Sequence, residues 1–138
     1  DNAVFWDGTP VTAEDVKWSL DRAVSLGGFP AVQMKAGSLL KPEQFVVVDD
    51  KTIRIDLVRK SKLTLPDLAV PVPFIINSKV AKKHATEKDP WATEYLHRNP
   101  AGSGAFKGLD LVAFSFLLEE RLEFGELVRV LGRDISTL

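Results

Sequence analysis

Two histidines, a glycine-serine-glycine loop, an acidic pair and four large aromatics are the residues here whose types could do chemistry. His84 and His97 have no cysteine beside them and lack the HExxH spacing of a zinc protease, so they read as solvated surface groups. "GSGAFKG", Gly102 to Gly108, spaces two glycines like a phosphate loop. Lys107 stands where a dinucleotide fingerprint needs its third glycine, and the GK[ST] of a P-loop is missing; a bend leading into a strand is expected instead. Asp49-Asp50 lacks the alternating oxygen ligands and glycine of a calcium loop and suits a hairpin turn. Ser19, Ser25 and Ser103 have neither a histidine motif nor a nucleophile elbow around them. Trp6, Trp18, Phe29 and Trp91 could stack a ligand, although any one of them is more often core. No nucleophile–base pair, metal site or cofactor motif emerges, and a hydrolase is the weakest of the functional classes.

Composition narrows the classes further. The 138 residues suit one domain, with 45% hydrophobic and 27% charged residues, an ordinary balance for a soluble globular protein. A net charge of −1 gives no footprint for nucleic acid or an acidic membrane surface. Cysteine is absent, which removes disulfides, thiolate nucleophiles and zinc-thiolate sites. No basic-then-apolar leader is visible, and the most apolar stretch, "LTLPDLAVPVPFII", is short for a span and carries three prolines and Asp67. A soluble chain is expected, compatible with a mature exported piece.

The elements that must position these residues start with "VFWDGTPVTAEDVKWSLDRA". Asp7-Gly8 is a turn signal and Pro10 holds the chain extended. Thr12 is a helix N-cap with Asp15 as its capping-box partner, and Glu14 and Asp15 suit the positive end of the helix dipole. A helix is predicted over Ala13–Leu26, stopped by Gly27-Gly28. Val16, Leu20, Ala23 and Val24 form one apolar stripe, and Trp18 lies away from it, so the helix should be covered on two sides. The segment from Phe29 to Leu40 admits a short helix around Ala31 to Lys35. A β-hairpin is predicted over Gln44–Val58, with Ile53, Ile55 and Leu57 on its buried face. Prolines bar a long helix or central strand from Leu65 to Pro73. Asn77 or Ser78 should cap a short helix reaching about His84. Asp89 should cap a second one, with Pro90 in its first position.

Residues 108–138 differ from the rest. They hold no proline or lysine and carry three arginines against six carboxylates, net −3, against +2 for the preceding residues. Of these 31 residues 16 are apolar. Helix or two strands about Gly125 are both open, with strands favoured by the phenylalanines and valines.

"FWDGTPVTAEDVKWSLDRA" closely resembles a signature of the extracytoplasmic solute-binding proteins of the dipeptide/oligopeptide/nickel family (family 5), which serve ABC importers. "VVVDDKTIRIDL", "PFIINSKVAKKH", "DPWATEYLHRNP" and "AGSGAFK" follow in that family's order. The last is similar to its Gly-Thr-Gly-Pro-Phe/Tyr segment, with Ser103 and Ala105 replacing the commoner threonine and proline. The resemblance runs from Asn2 to Lys107. After it, "FGELVRVLGRD" is faintly similar to the family's next strand, while "LDLVAFSFLLEERLE" has no counterpart.

The resemblance implies an α+β fold: a small antiparallel sheet with packed helices, one subdomain of a two-lobed periplasmic-binding-protein-like fold. Residues 1–107 would be a piece of the first lobe, and 108–138 an unmatched tail completing the sheet or a dimer interface. The implied function is capture of short peptides or a similar small solute outside the cytoplasm, periplasmic in location. An ABC permease would be the partner, with no nucleic acid, catalysis or cofactor. Relatives also carry nickel, sugars or opines, so a small solute is implied without its identity. The stretch "GGFPAVQM" lies near the cleft in several relatives, which makes Phe29 and Ala31 the candidate ligand contacts. The competing expectation is a stand-alone structural or interaction domain, self-associating through its tail; a homodimer is expected of the chain as it stands.

Overall fold

The computed structural model describes residues 3–70 and 72–104. The chain opens with a tight loop: Val4 bridges Pro10, and the Gly8 N–H donates to the Phe5 carbonyl at 2.9 Å. Gly8 has φ 80°, where a Cβ is unfavourable, and Asp7 Oδ1 accepts from the Thr9 amide and hydroxyl. Phe5 is buried inside this loop.

Helix α1, Ala13–Ser25, begins where expected and ends one residue short of Leu26. Gly27 then takes φ 73°, the left-handed conformation glycine accepts most readily. Its cap is the expected capping box between Thr12 and Asp15. The Thr12 amide donates to Asp15 Oδ2 at 3.0 Å, and the Thr12 hydroxyl donates to the same oxygen at 2.7 Å. Asp15 is 1% exposed, and its other oxygen takes the amide and hydroxyl of Ser78 at 3.0 and 2.7 Å. Burial opposes the charge on Asp15, but the hydrogen bonds from Ser78 and Thr12 outweigh it and hold the carboxyl below its usual value.

Two apolar clusters flank α1. Leu20 and Ala23 pack with Met34, Leu39 and Phe45, joined by Val16, Ile53, Ile55 and Leu68. Trp18 faces the other way onto Ala81 and Ala92, with its ring 5.6 Å from that of Trp91. The helix is thus covered on two sides.

Helix α2, Gly28–Ala36, is longer than the short helix expected around Ala31 to Lys35, because Gly28 at φ 58° lets it start directly after Gly27. A 3₁₀ turn, Pro42–Gln44, leads into β1, Phe45–Asp49, which pairs antiparallel with β2, Thr52–Ile55. The register sets Phe45 opposite Ile55 and Val47 opposite Ile53, and an irregularity before Asp49 leaves Val48 as the extra, exposed residue. The second strand is shorter than the sequence predicts. Ile53 and Ile55 face the core, but Leu57 lies beyond the strand and is exposed. The expected Gln44–Val58 hairpin is therefore right in kind and too long at its far end.

Helices α3 (Thr64–Ala69), α4 (Ser78–His84) and α5 (Thr93–Arg98) complete the described residues, an α+β arrangement of five helices around one two-stranded antiparallel sheet. Asn77 caps α4 by accepting the Val80 amide at 3.1 Å, as expected. Helix α5 starts later than Pro90. The Ala92 amide donates to the Asp89 carbonyl at 3.1 Å, which puts Pro90 and Trp91 in a turn. Asp89 still reaches the helix, accepting the Glu94 amide at 2.9 Å. Among the described residues no helix is long and apolar enough to cross a membrane. The strand or helix expected of the tail, and its dimer interface, lie outside the described residues.

Candidate functional site

Phe29 and Ala31 both sit on α2 but not on one face. Residues two apart in a helix point in different directions, and the structure shows it: Phe29 is 69% exposed, while Ala31 is half-buried. The residue sharing Phe29's face is Val32, one turn on and 68% exposed. One side chain of α2, Met34, is fully buried and anchors the helix to the core. Helix α3 holds the other side through Gln33, whose Nε2 donates to Asp67 Oδ1 at 2.8 Å, and through the Thr64 hydroxyl, which donates to the Gly37 carbonyl at 2.7 Å. A side chain at Gly37 would meet Asp67 Oδ2 at 2.6 Å, so only glycine allows this approach. The arrangement presents an apolar pair, Phe29 and Val32, on a helix pinned from beneath.

A concavity lies beside α5. Its walls are the extended run Phe74–Ile76, the run Ala101–Gly104 and the α5 residues Leu96 and His97, around about 600 Å³. Trp6 closes one end, with its indole N–H on the Gly104 carbonyl at 2.7 Å and its amide on the Gly102 carbonyl at 3.1 Å. A Cβ at Gly102 would come within 3.3 Å of the Trp6 ring. These contacts show what the glycine-serine-glycine loop does: it lies flat against an aromatic ring, and its carbonyls accept rather than its amides cradling a phosphate.

The remaining sequence candidates find structural roles or solvent. His84 stacks on Tyr95 with ring centroids 3.6 Å apart, while His97 stands at the groove's rim, so the two histidines do not meet. Asp49 Oδ1 accepts the Lys51 amide in the hairpin turn, and the Asp50 carbonyl accepts the first amide of α1 at 2.9 Å. Ser19 bonds the Asp15 carbonyl at 2.7 Å and accepts the Ile76 amide at 2.9 Å. Among the described residues no group of three acids or histidines could hold a metal.

Sequence reasoning missed three residues. Gln44 is buried and makes four bonds, donating to the Ser38 and Asp56 carbonyls and accepting the Leu40 and Lys41 amides. Asp67 is buried with one oxygen unbonded among the described residues. Arg22 is half-buried in the groove and donates to the Trp91 carbonyl at 3.3 Å. Its position on α1, two residues beyond Leu20 and one before Ala23, carried the available signal: a charge next to the apolar stripe.

The sequence profile of the bacterial extracellular solute-binding proteins, family 5, middle region, matches residues 1–114. The chain belongs to this family. Among curated proteins it is similar to the probable D,D-dipeptide-binding periplasmic protein DdpA of Escherichia coli strain K12, 39% identical over 106 residues. That match covers 77% of this chain and 19% of the relative, so the chain spans about a fifth of the relative's length. No solved structure matches it.

Proposed function

We propose that residues 1–107 form part of the first lobe of an extracytoplasmic receptor that captures short peptides, or a similar small solute, for an ABC permease. The observation that carries this is 39% identity to a dipeptide-binding relative across the folded body, within a family defined by solute binding. A receptor of this kind works by closing two lobes, with differential ligand affinity biasing a hinge equilibrium. The work is binding, and no step of it requires a nucleophile or a metal. Periplasmic placement follows from the same relationship.

Phe29 and Ala31 are the proposed ligand contacts. In support, α2 offers the exposed Phe29 ring on a helix held by Met34 below and by Gln33–Asp67 at its side. An aromatic held this way loses little conformational entropy on contact with a solute. The test is calorimetry of the parent polypeptide that contains these residues, titrated with a dipeptide panel. Micromolar binding is expected, weakened about tenfold by Phe29→Ala (~1.4 kcal/mol) at unchanged melting temperature. Failure of every peptide to bind would refute the solute assignment, and an unaffected Phe29→Ala would refute the contact alone. The 138-residue chain by itself should bind peptides weakly, since one lobe supplies part of the contacts. We also propose that it self-associates as a homodimer through residues 108–138, whose 16 apolar positions in 31 exceed what a short segment hides alone. Light scattering behind a sizing column checks this, and a 15.2 kDa monomer at high concentration would refute it.

A further inference from the structure

The groove between Phe74–Ile76 and Ala101–Gly104 is not explained by solute capture at α2. Its two extended walls are tied at one point, where the Asn77 amide donates to the Ala101 carbonyl at 2.9 Å. Other groups of the walls are held from outside the groove, the Ile76 amide by the Ser19 hydroxyl and the Gly102 and Gly104 carbonyls by Trp6. Among the described residues, the N–H and C=O of Ile75 and the N–H of Ser103 have no hydrogen-bond partner. Backbone groups at a half-buried position such as Ile75 are normally paired, and an extended main chain is the partner that satisfies N–H and C=O together.

The side chains around these groups are apolar, with Phe74 65% exposed beside Trp6 and Leu96. One charge is set among them. Arg22 has no carboxylate within ion-pair distance among the described residues, and its guanidinium is partly stripped of water. That burial lowers its pKa, against the attraction of Asp89. A carboxylate brought to Arg22 would offset the desolvation already incurred.

We propose that this groove receives an internal strand of a longer polypeptide, paired by its main chain to Ile75 and Ser103 and carrying a carboxylate against Arg22. A free short peptide fits less well. Its terminal ammonium would need an acid, yet among the described residues no aspartate or glutamate lines the groove, where Arg22 and His97 are the ionisable groups. A strand inside a longer chain has no such charge. A parent the size of the dipeptide-binding relative would have about four-fifths of its chain outside the matched part, ample to supply one.

The test uses the 138-residue chain, ¹⁵N-labelled, with the end-blocked probe Ac-Val-Glu-Val-Thr-Val-NH₂ at millimolar concentration. The expected result is amide exchange slowed at least about tenfold at Ile75 and Ser103, with binding weakened about tenfold when the probe's glutamate becomes glutamine. Arg22→Gln should abolish that glutamate preference. A probe with proline at its centre should not protect the two amides, since proline lacks the N–H that the Ile75 carbonyl must accept to hold the pairing. Several outcomes overturn the proposal. No protection by the blocked probe, or equal protection by the proline probe, removes the strand pairing. Equal or tighter binding of unblocked Val-Glu-Val assigns the groove to free peptide. Protection without any probe shows the edges already filled, and if it grows with protein concentration the occupant is a second copy.

Discussion

Replacing Asp15 by asparagine should be among the most damaging changes this chain can suffer without altering a side chain's size. The Asp15 carboxylate accepts four hydrogen bonds, from the amide and hydroxyl of Thr12 at 3.0 and 2.7 Å and from those of Ser78 at 3.0 and 2.7 Å. Asparagine keeps one accepting oxygen and turns an NH₂ toward the other pair of donors. Two bonds to a charged acceptor are lost, at about 1.5–3 kcal/mol each, and one backbone N–H is left facing a donor. A hydroxyl can rotate to accept from the new NH₂ and recover about 1 kcal/mol. The net cost should be about 2–5 kcal/mol, a large part of a domain's ordinary stability. Thr12→Ala removes one donor only and should cost about 1 kcal/mol. Urea unfolding followed by the fluorescence of buried Trp18 measures both. The pH dependence adds a second check. The folded pKa of Asp15 lies below its ordinary 3.8, so its contribution is complete above that value and lost as pH falls through the folded one. The gap between parent and Asp15→Asn should therefore be widest near neutral pH and narrow in acid. A variant within 0.5 kcal/mol of the parent, roughly the scatter of ordinary surface substitutions, would refute the central role given to this carboxylate.

Three other substitutions test separate joints. Gly102→Val places a branched side chain against the Trp6 ring, where even a Cβ would sit at 3.3 Å, and should cost about 1–3 kcal/mol in a urea melt. Gly8→Val at φ 80° meets no neighbour within 4 Å, so its cost, about 1–2 kcal/mol, should be pure backbone strain, and Gly8→Asn should recover part of it in the same melt. Gln44→Leu keeps the volume but leaves two amides and two carbonyls without their partner; about 3 kcal/mol or more should be lost, read as a drop in thermal midpoint.

What the sequence determined by itself is local and periodic. The start of α1, the turn at Gly8, the cap at Asn77 and the Ile53–Ile55 face each depend on residues within a few positions of one another, so spacing alone reveals them. Where those signals failed, the backbone hydrogen bonds actually formed had overruled composition and alternation. Asp89-Pro90 has the composition of a helix start, but the Ala92 amide closes a turn on the Asp89 carbonyl there first. Leu57 continues the alternation of its strand, yet no partner strand extends far enough to pair it. The cleft candidates were visible only through family resemblance, and the packing then separated Phe29, exposed, from Ala31, half-buried. Tertiary structure alone decided the rest. Asp15 meets Ser78 across 63 positions, Trp6 meets Gly104 across 98, and Arg22 meets Trp91 across 69. Each is a polar group satisfied by a partner that no periodicity encodes, because a hydrogen bond depends on where two atoms end up and not on how far apart the chain has written them.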